Sequence, residues 1–306
     1  MNATPDTPRI SGILTALATP FAPDGAIDAK LLRRLVDRSV DGGVDGVVAC
    51  GSTGEFAAMT GDERRLLVET VVDQAAGRVP VIAQTGAVAT REAVALSRHA
   101  EAAGASVVMV VAPYYEALTL DETVRYLGTV ADSVRIPVML YNLPDATGVN
   151  LDPDTVGALA RRHENIRYIK DTSADMAQAG RLIHHHGEVI STFVGWDSLL
   201  LAAVAEGAAG VMAGTANIMP AELVAVHRAL TAGDLDAARA VWGRVYPLMD
   251  TLMSAPFIPA VKAALEEIGL PVGPPREPLL PVSPETRQHI ATALAALPHL
   301  TLTATD

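Results

Sequence analysis

Apolar positions in this chain gather in short runs spaced roughly 20 to 35 residues apart, the length of a βαβ unit. Between the runs they recur at helical spacing. The first run, 13–21, reads as a strand that enters a turn at Pro23-Asp24-Gly25. A helix follows, with Asp28 as candidate N-cap, Leu31, Leu32, Leu35, Val36 and Val40 on one face, and Gly42-Gly43 at its end. Further strands are expected at 47–51, 79–86, 106–113, 136–144, 166–173, 188–196 and 210–215, which with the first makes eight. Helix starts are marked by capping boxes at Thr60/Glu63 and Thr119/Glu122, by Asp152 before Pro153, by Asp197 as a plausible N-cap, and by Pro220 in a first turn.

Eight such units without a linker predict an α/β fold, a closed (β/α)8 TIM barrel over residues 11–221, behind a flexible N-terminus at 1–10. The pattern then turns wholly helical, at 222–230, 235–253 and 258–268. A Pro/Gly-rich passage at 270–284 and a last helix at 285–297 complete a C-terminal helical extension, 222–306, docked on the barrel or used for assembly.

Composition narrows the function. Hydrophobic residues make up 50% of the 306 and aromatics only 4%, which suits an Ala/Val/Leu interior of helices on parallel strands. A net charge of -12 without a block of Lys or Arg argues against nucleic acid or an anionic membrane as partner and leaves small molecules. No apolar run reaches the ~18 residues of a membrane span, and the polar N-terminus has no signal-peptide pattern, so a cytoplasmic location is expected. The single cysteine, Cys50, lies in an apolar run and reads as packing. His184-His185-His186 is not a metal site, because consecutive residues do not share a helix face.

Chemistry in a (β/α)8 barrel sits at the C-terminal ends of the strands. Those ends carry Gly51-Ser52-Thr53-Gly54-Glu55, Pro113-Tyr114-Tyr115, Tyr141-Asn142-Leu143-Pro144, Lys170-Asp171-Thr172-Ser173, Gly195-Trp196-Asp197 and Gly214-Thr215-Ala216-Asn217. Strand alternation puts Ile166, Tyr168 and Lys170 on one face. An amine on an inward face is partly desolvated, which favours the neutral, nucleophilic form that attacks carbonyls. The alternative is a lysine whose head snorkels to water. Likewise the Gly-Ser-Thr-Gly turn is either an anion cradle of N–H groups and hydroxyls or an ordinary tight turn, and Tyr141 is either a proton carrier or core.

Taken together, Gly51 to Glu55, Pro113 to Tyr115, Tyr141 to Pro144, Ile169 to Ser173 and Gly214 to Asn217 resemble, in order and spacing, the dihydrodipicolinate synthase / N-acetylneuraminate lyase family. The resemblance covers about the first 220 residues and the helical tail also fits. It implies a class I Schiff-base lyase acting on pyruvate or another 2-oxo acid, a homotetramer built as a dimer of dimers, with no metal or organic cofactor. Carried over by motif, Lys170 would form the imine and Tyr141 would shuttle protons. Ser52 and Thr53 would hold the carboxylate, with Ser52 also linking the phenols in a relay. Tyr115 would be the phenol that reaches a neighbouring subunit's site. Thr172, Trp196, Asp197, Gly214 and Thr215 are expected around the substrate, with Glu116 beside them.

The departures bear on substrate. The synthases carry an arginine two residues after the proline of Tyr-Asn-x-Pro, where this chain has Ala146. Ser198 and Gly214 stand where sialic-acid lyases carry a glutamate and a serine. These losses point to an aldolase or dehydratase for a 2-keto-3-deoxy sugar acid or related hydroxy-oxo acid. The alternatives are 4-hydroxy-tetrahydrodipicolinate synthase itself, with another cation replacing the arginine, and a non-catalytic ligand-binding barrel.

Overall fold

The computed structural model describes residues 9–302. Its strands are β1 (Gly12–Ala16), β2 (Gly46–Ala49), β3 (Val81–Gln84), β4 (Val107–Val111), β5 (Val138–Asn142), β6 (Ile166–Asp171), β7 (Ser191–Val194) and β8 (Gly210–Ala213). Each pairs in parallel with the next, and β8 returns to β1, so the sheet closes on itself in sequence order. A parallel barrel is covered inside by its own side chains and outside by helices, which is why these strands are buried at nearly every position and read as continuous apolar runs. The seam between β8 and β1 needs a close approach, since a Cβ on Gly210 would fall 1.9 Å from the Gly12 carbonyl oxygen.

The ladders are shorter than the apolar runs. The 136–144 run holds β5 only over Val138–Asn142, and the 188–196 run holds β7 only over Ser191–Val194. The pairing stops short of the apolar runs at both ends, and hydrophobicity does not mark where it stops. Leu143, Gly195 and Trp196, just past the strand ends, line the site together with residues of the strands.

The helices are α1 (Ala29–Asp41), α2 (Gly61–Ala75), α3 (Thr90–Ala102), α4 (Leu120–Ala131), α5 (Pro144–Thr147), α6 (Pro153–Arg162), α7 (Met176–His186), α8 (Leu200–Glu206), α9 (Pro220–Thr231), α10 (Leu235–Met253), α11 (Phe257–Glu267) and α12 (Pro284–Ala295). The expected caps form. Asp28 accepts from the Leu31 amide, Thr60/Glu63 and Thr119/Glu122 make complete capping boxes, and Asp152 accepts from the amides of Asp154 and Thr155. Asp197 is a correction. It opens a short 3-10 turn rather than capping a helix, because its carboxylate is bound across the barrel mouth by Thr215. The short α5 was not foreseen, since Pro144 reads as the end of an apolar run.

Helix α9 packs on β1 and α8 and closes the outer ring, so the expected boundary at 221/222 falls inside a helix. Beyond it α10 packs on α9, and α11 and α12 pack on each other. The 270–284 passage then crosses to the loops after β1 and β2, where the Phe21 amide donates to Val272 and the Arg276 amide to Glu55. Most of the N-terminal segment expected at 1–10 lies outside the described residues. Arg9 and Ile10 are held by Gly187, Glu188 and Tyr168. No helix among the described residues is long and apolar enough to cross a membrane.

Candidate active site

Tyr141 on β5 and Lys170 on β6 are direct partners in the ladder. Paired residues of neighbouring strands project to the same side, so the ladder places phenol and amine together inside the barrel. The Lys170 ammonium lies 4.2 Å from the centroid of the Tyr141 ring, and both side chains are buried. On the outer side, the next residues of the same strands are locked as well: Asn142 Nδ2 donates to Asp171 Oδ1 at 2.9 Å, and Gln178 from α7 donates to the same carboxylate. The β5–β6 register slips by one between Val138 and Met139, which leaves Arg167 unpaired at a bulge below the site.

The turn after β2 supplies the next group. Its internal bonds run from the Gly54 amide to Gly51 and from the Glu55 amide to Ser52, which leaves the amides of Ser52 and Thr53 outside the turn's own bonding. Cys50 and Glu55 on either side hold φ of 59 and 61, conformations that non-glycine residues adopt rarely and at a cost. The Ser52 hydroxyl is 3.1 Å from the Tyr141 hydroxyl. Burial pushes the Cys50 thiol up to about 11, so this cysteine is inert packing, as its apolar run suggested.

Ser52, Thr53, Tyr141, Lys170, Thr172, Trp196, Asp197 and Gly214 line one cavity of ≈ 260 Å³. The Thr172 hydroxyl is buried in its wall and has no hydrogen-bond partner among the described residues. Gly195 leaves room for both, since a Cβ there would fall 2.0 Å from Thr172 Oγ1 and 2.5 Å from Lys170 Cε. Asp197 Oδ2 accepts from the amide and the hydroxyl of Thr215, each at 2.7 Å. Burial drives the Asp197 carboxyl above the ordinary carboxylate range, and the Thr215 donors and the Lys170 charge pull it partly back. Thr215 is thus spent on Asp197 and lies behind the wall. Tyr115 is 80% exposed and stands outside the cavity, as does the exposed Glu116.

Several contributors lay beyond sequence reasoning. Met253, Phe257 and Ile258 of the extension close the far side of the cavity. Below them, Lys262 on α11 donates to Glu55 Oε1 at 2.7 Å and to the Pro274 carbonyl at 3.0 Å, and its ammonium sits 4.3 Å from the centroid of the Phe21 ring. Burial lowers the Lys262 pKa, and Glu55 opposes that shift. One signal was present: Lys262 is the single charge in the apolar stretch from Phe257 to Leu265, the same anomaly that exposed Lys170.

The three histidines of α7 diverge, with His184 on Glu206 and His186 beside Arg161 and Asp154. Among the described residues no group of three or more His, Cys, Asp or Glu could hold a metal ion.

Comparison with known proteins gives the family. The family model described as "Dihydrodipicolinate synthetase family" matches residues 9–297. The 4-hydroxy-tetrahydrodipicolinate synthase of Sorangium cellulosum (strain So ce56) is 40% identical over 289 residues, 94% of this chain and 96% of that one. The crystal structure of dihydrodipicolinate synthase from Aquifex aeolicus superposes with a TM-score of 0.92 at 36% identity, covering 96% of this chain and 99% of the other. A prophage protein of E. coli K12, described as belonging to the dihydrodipicolinic acid synthase family and solved in complex with pyruvate, superposes with a TM-score of 0.89 at 31% identity over 96% and 99% of the two chains.

Proposed function

The chain belongs to the dihydrodipicolinate synthetase family, and from that membership we propose that Lys170 is the residue that forms an imine with pyruvate. Members of this family are pyruvate-dependent lyases that work through a lysine Schiff base and use no metal or organic cofactor. The observation that carries the assignment is the buried Lys170 amine over the Tyr141 ring, with Ser52 bonded to the same phenol.

The steps balance without a further reagent. The amine adds to the C2 carbonyl of pyruvate and water leaves. The protonated imine draws electrons from C3, a proton departs, and the enamine carbon attacks the carbon of an aldehyde. The aldehyde oxygen takes a proton, and water hydrolyses the imine to release a 4-hydroxy-2-oxo acid and the free amine. Tyr141, with Ser52 behind it, carries protons to and from nitrogen and oxygen. The amides and hydroxyls of Ser52 and Thr53 hold the pyruvate carboxylate.

Of the two finer readings, a 4-hydroxy-tetrahydrodipicolinate synthase that condenses pyruvate with aspartate semialdehyde has more support than an aldolase or dehydratase for a 2-keto-3-deoxy sugar acid. The synthases at 36–40% identity favour it. The exposed Tyr115 at the end of β4 is the phenol expected to enter a second copy's site in a dimer of dimers. Borohydride reduction with pyruvate tests the core claim: a pyruvyl adduct on Lys170, absent from Lys170→Ala, supports it, and an unmodified chain in peptide mass analysis refutes it.

A further inference from the structure

Above the bulge between β5 and β6 the register has to be set again. A slip of one residue turns a strand's side chains to the other face and would carry Lys170 out of the barrel. The rung next above Tyr141 and Lys170 is Asn142 opposite Asp171, and both residues are buried.

The Asp171 carboxylate accepts from Asn142 Nδ2 at 2.9 Å, from Gln178 Nε2 at 3.2 and 3.3 Å, and from the amide and hydroxyl of Ser173 at 3.2 and 3.0 Å. The Asn142 amide group has one orientation, because its Oδ1 accepts from the Leu151 amide at 2.9 Å. Its Nδ2 is therefore aimed at Asp171, and it also donates to Asn150 Oδ1 at 2.9 Å. Asn150 Nδ2 donates to Gln178 Oε1 at 2.8 Å and closes the ring. Strands β5 and β6, helix α7 and the segment 148–151 thus meet at one carboxylate. In a slipped register Asp171 would enter the barrel, and the Asn142 and Gln178 amides would lose their acceptor in the interior, which costs far more than the bonds gain. None of the four side chains lines the cavity at Lys170.

We propose that Asn142 and Asp171 are positioning residues for imine formation: their bond, on the far side of the sheet, fixes the Tyr141 phenol against the Lys170 amine. The inference rests on the assignment of Lys170 as the imine-forming residue. The network does not touch the Ser52–Thr53 turn, so it acts on the rate at which bound pyruvate reacts and not on how pyruvate is held.

The test is a reciprocal exchange, read by timed borohydride quenching with pyruvate. Asn142→Asp sets two carboxylates against each other, and adding Asp171→Asn faces a donor with an acceptor again. In Asn142→Asp, imine formation at saturating pyruvate should slow by about 10- to 100-fold, with the half-saturating pyruvate concentration within about threefold of the parent. The exchanged pair should recover to within about threefold of the parental rate. A parental rate in Asn142→Asp, equal slowing in both variants, or a loss that lies in the half-saturating concentration overturns the inference alone. Should Asn142→Asp fail to fold, Asn150→Ala, at the exposed end of the network, decides: slowing of about threefold or more supports the inference and a parental rate overturns it. Absence of trapping in the parent protein overturns the assignment of Lys170 and this inference with it.

Discussion

Lys262 Nζ and Glu55 Oε1 lie 2.7 Å apart with both side chains essentially out of solvent, although 207 residues separate them in the chain. The pair ties the turn that carries Ser52 and Thr53 to the C-terminal extension. Truncating one member strands the other charge in the interior. Lys262→Met or Glu55→Gln should each cost about 3–5 kcal/mol in urea unfolding. The double variant should cost less than the sum of the two, and additive losses would mean the pair is not coupled.

Tyr141→Phe keeps the ring under the Lys170 amine and removes only the hydroxyl bonded to Ser52. The thermal midpoint should stay within a few degrees, while turnover falls by about 10²–10⁴-fold. Trapping of pyruvate on Lys170 should persist at a reduced rate. A variant with parental turnover would remove the phenol from the proton path.

The Thr172 hydroxyl is buried beside Lys170, with no partner among the described residues. It lines the same cavity as Lys170, within reach of a molecule bound there. Thr172→Val, nearly the same shape, should leave stability unchanged or raise it by about 1 kcal/mol and should raise KM for pyruvate or its partner. A loss of stability with KM unchanged would assign Thr172 to packing.

Stability should also respond to acid through Glu63. Hydrogen bonds from Arg276 hold its carboxyl down to about 2, against 4.5 for an unperturbed glutamate. The folded value lies below the unfolded one, so the contribution is complete above about pH 4.5 and is lost as pH falls towards 2. Denaturant unfolding from pH 6 to pH 2.5 should show a shallower acid decline in Glu63→Gln than in the parent chain. Equal slopes would show that the Arg276 pair adds nothing to acid sensitivity.

Both lysines set in apolar stretches, Lys170 and Lys262, were visible in the sequence, yet only one was read as functional. The surroundings of Lys170 are strand-end motifs whose order and spacing resemble a known family, so its company could be inferred. Lys262 meets Glu55 across the whole barrel, and no local pattern announces a contact of that span. The cap residues were legible for the opposite reason, since Asp28 bonds an amide three residues away and Thr60 and Thr119 each form a box with a residue three ahead.

The order of elements and the closure of eight strands follow from the sequence, because apolar periodicity and turn chemistry are properties of neighbours in the chain, while the candidacy of Lys170, Tyr141 and Ser52 came from the family that their motifs resemble. Folding alone decided the register that sets Tyr141 against Lys170 and the diversion of Asp197 and Thr215 onto each other. Each of these depends on which distant side chain reaches a given atom first. Arg276 is one charge in a Pro-rich passage when read along the chain, and only the fold pairs it with Glu63.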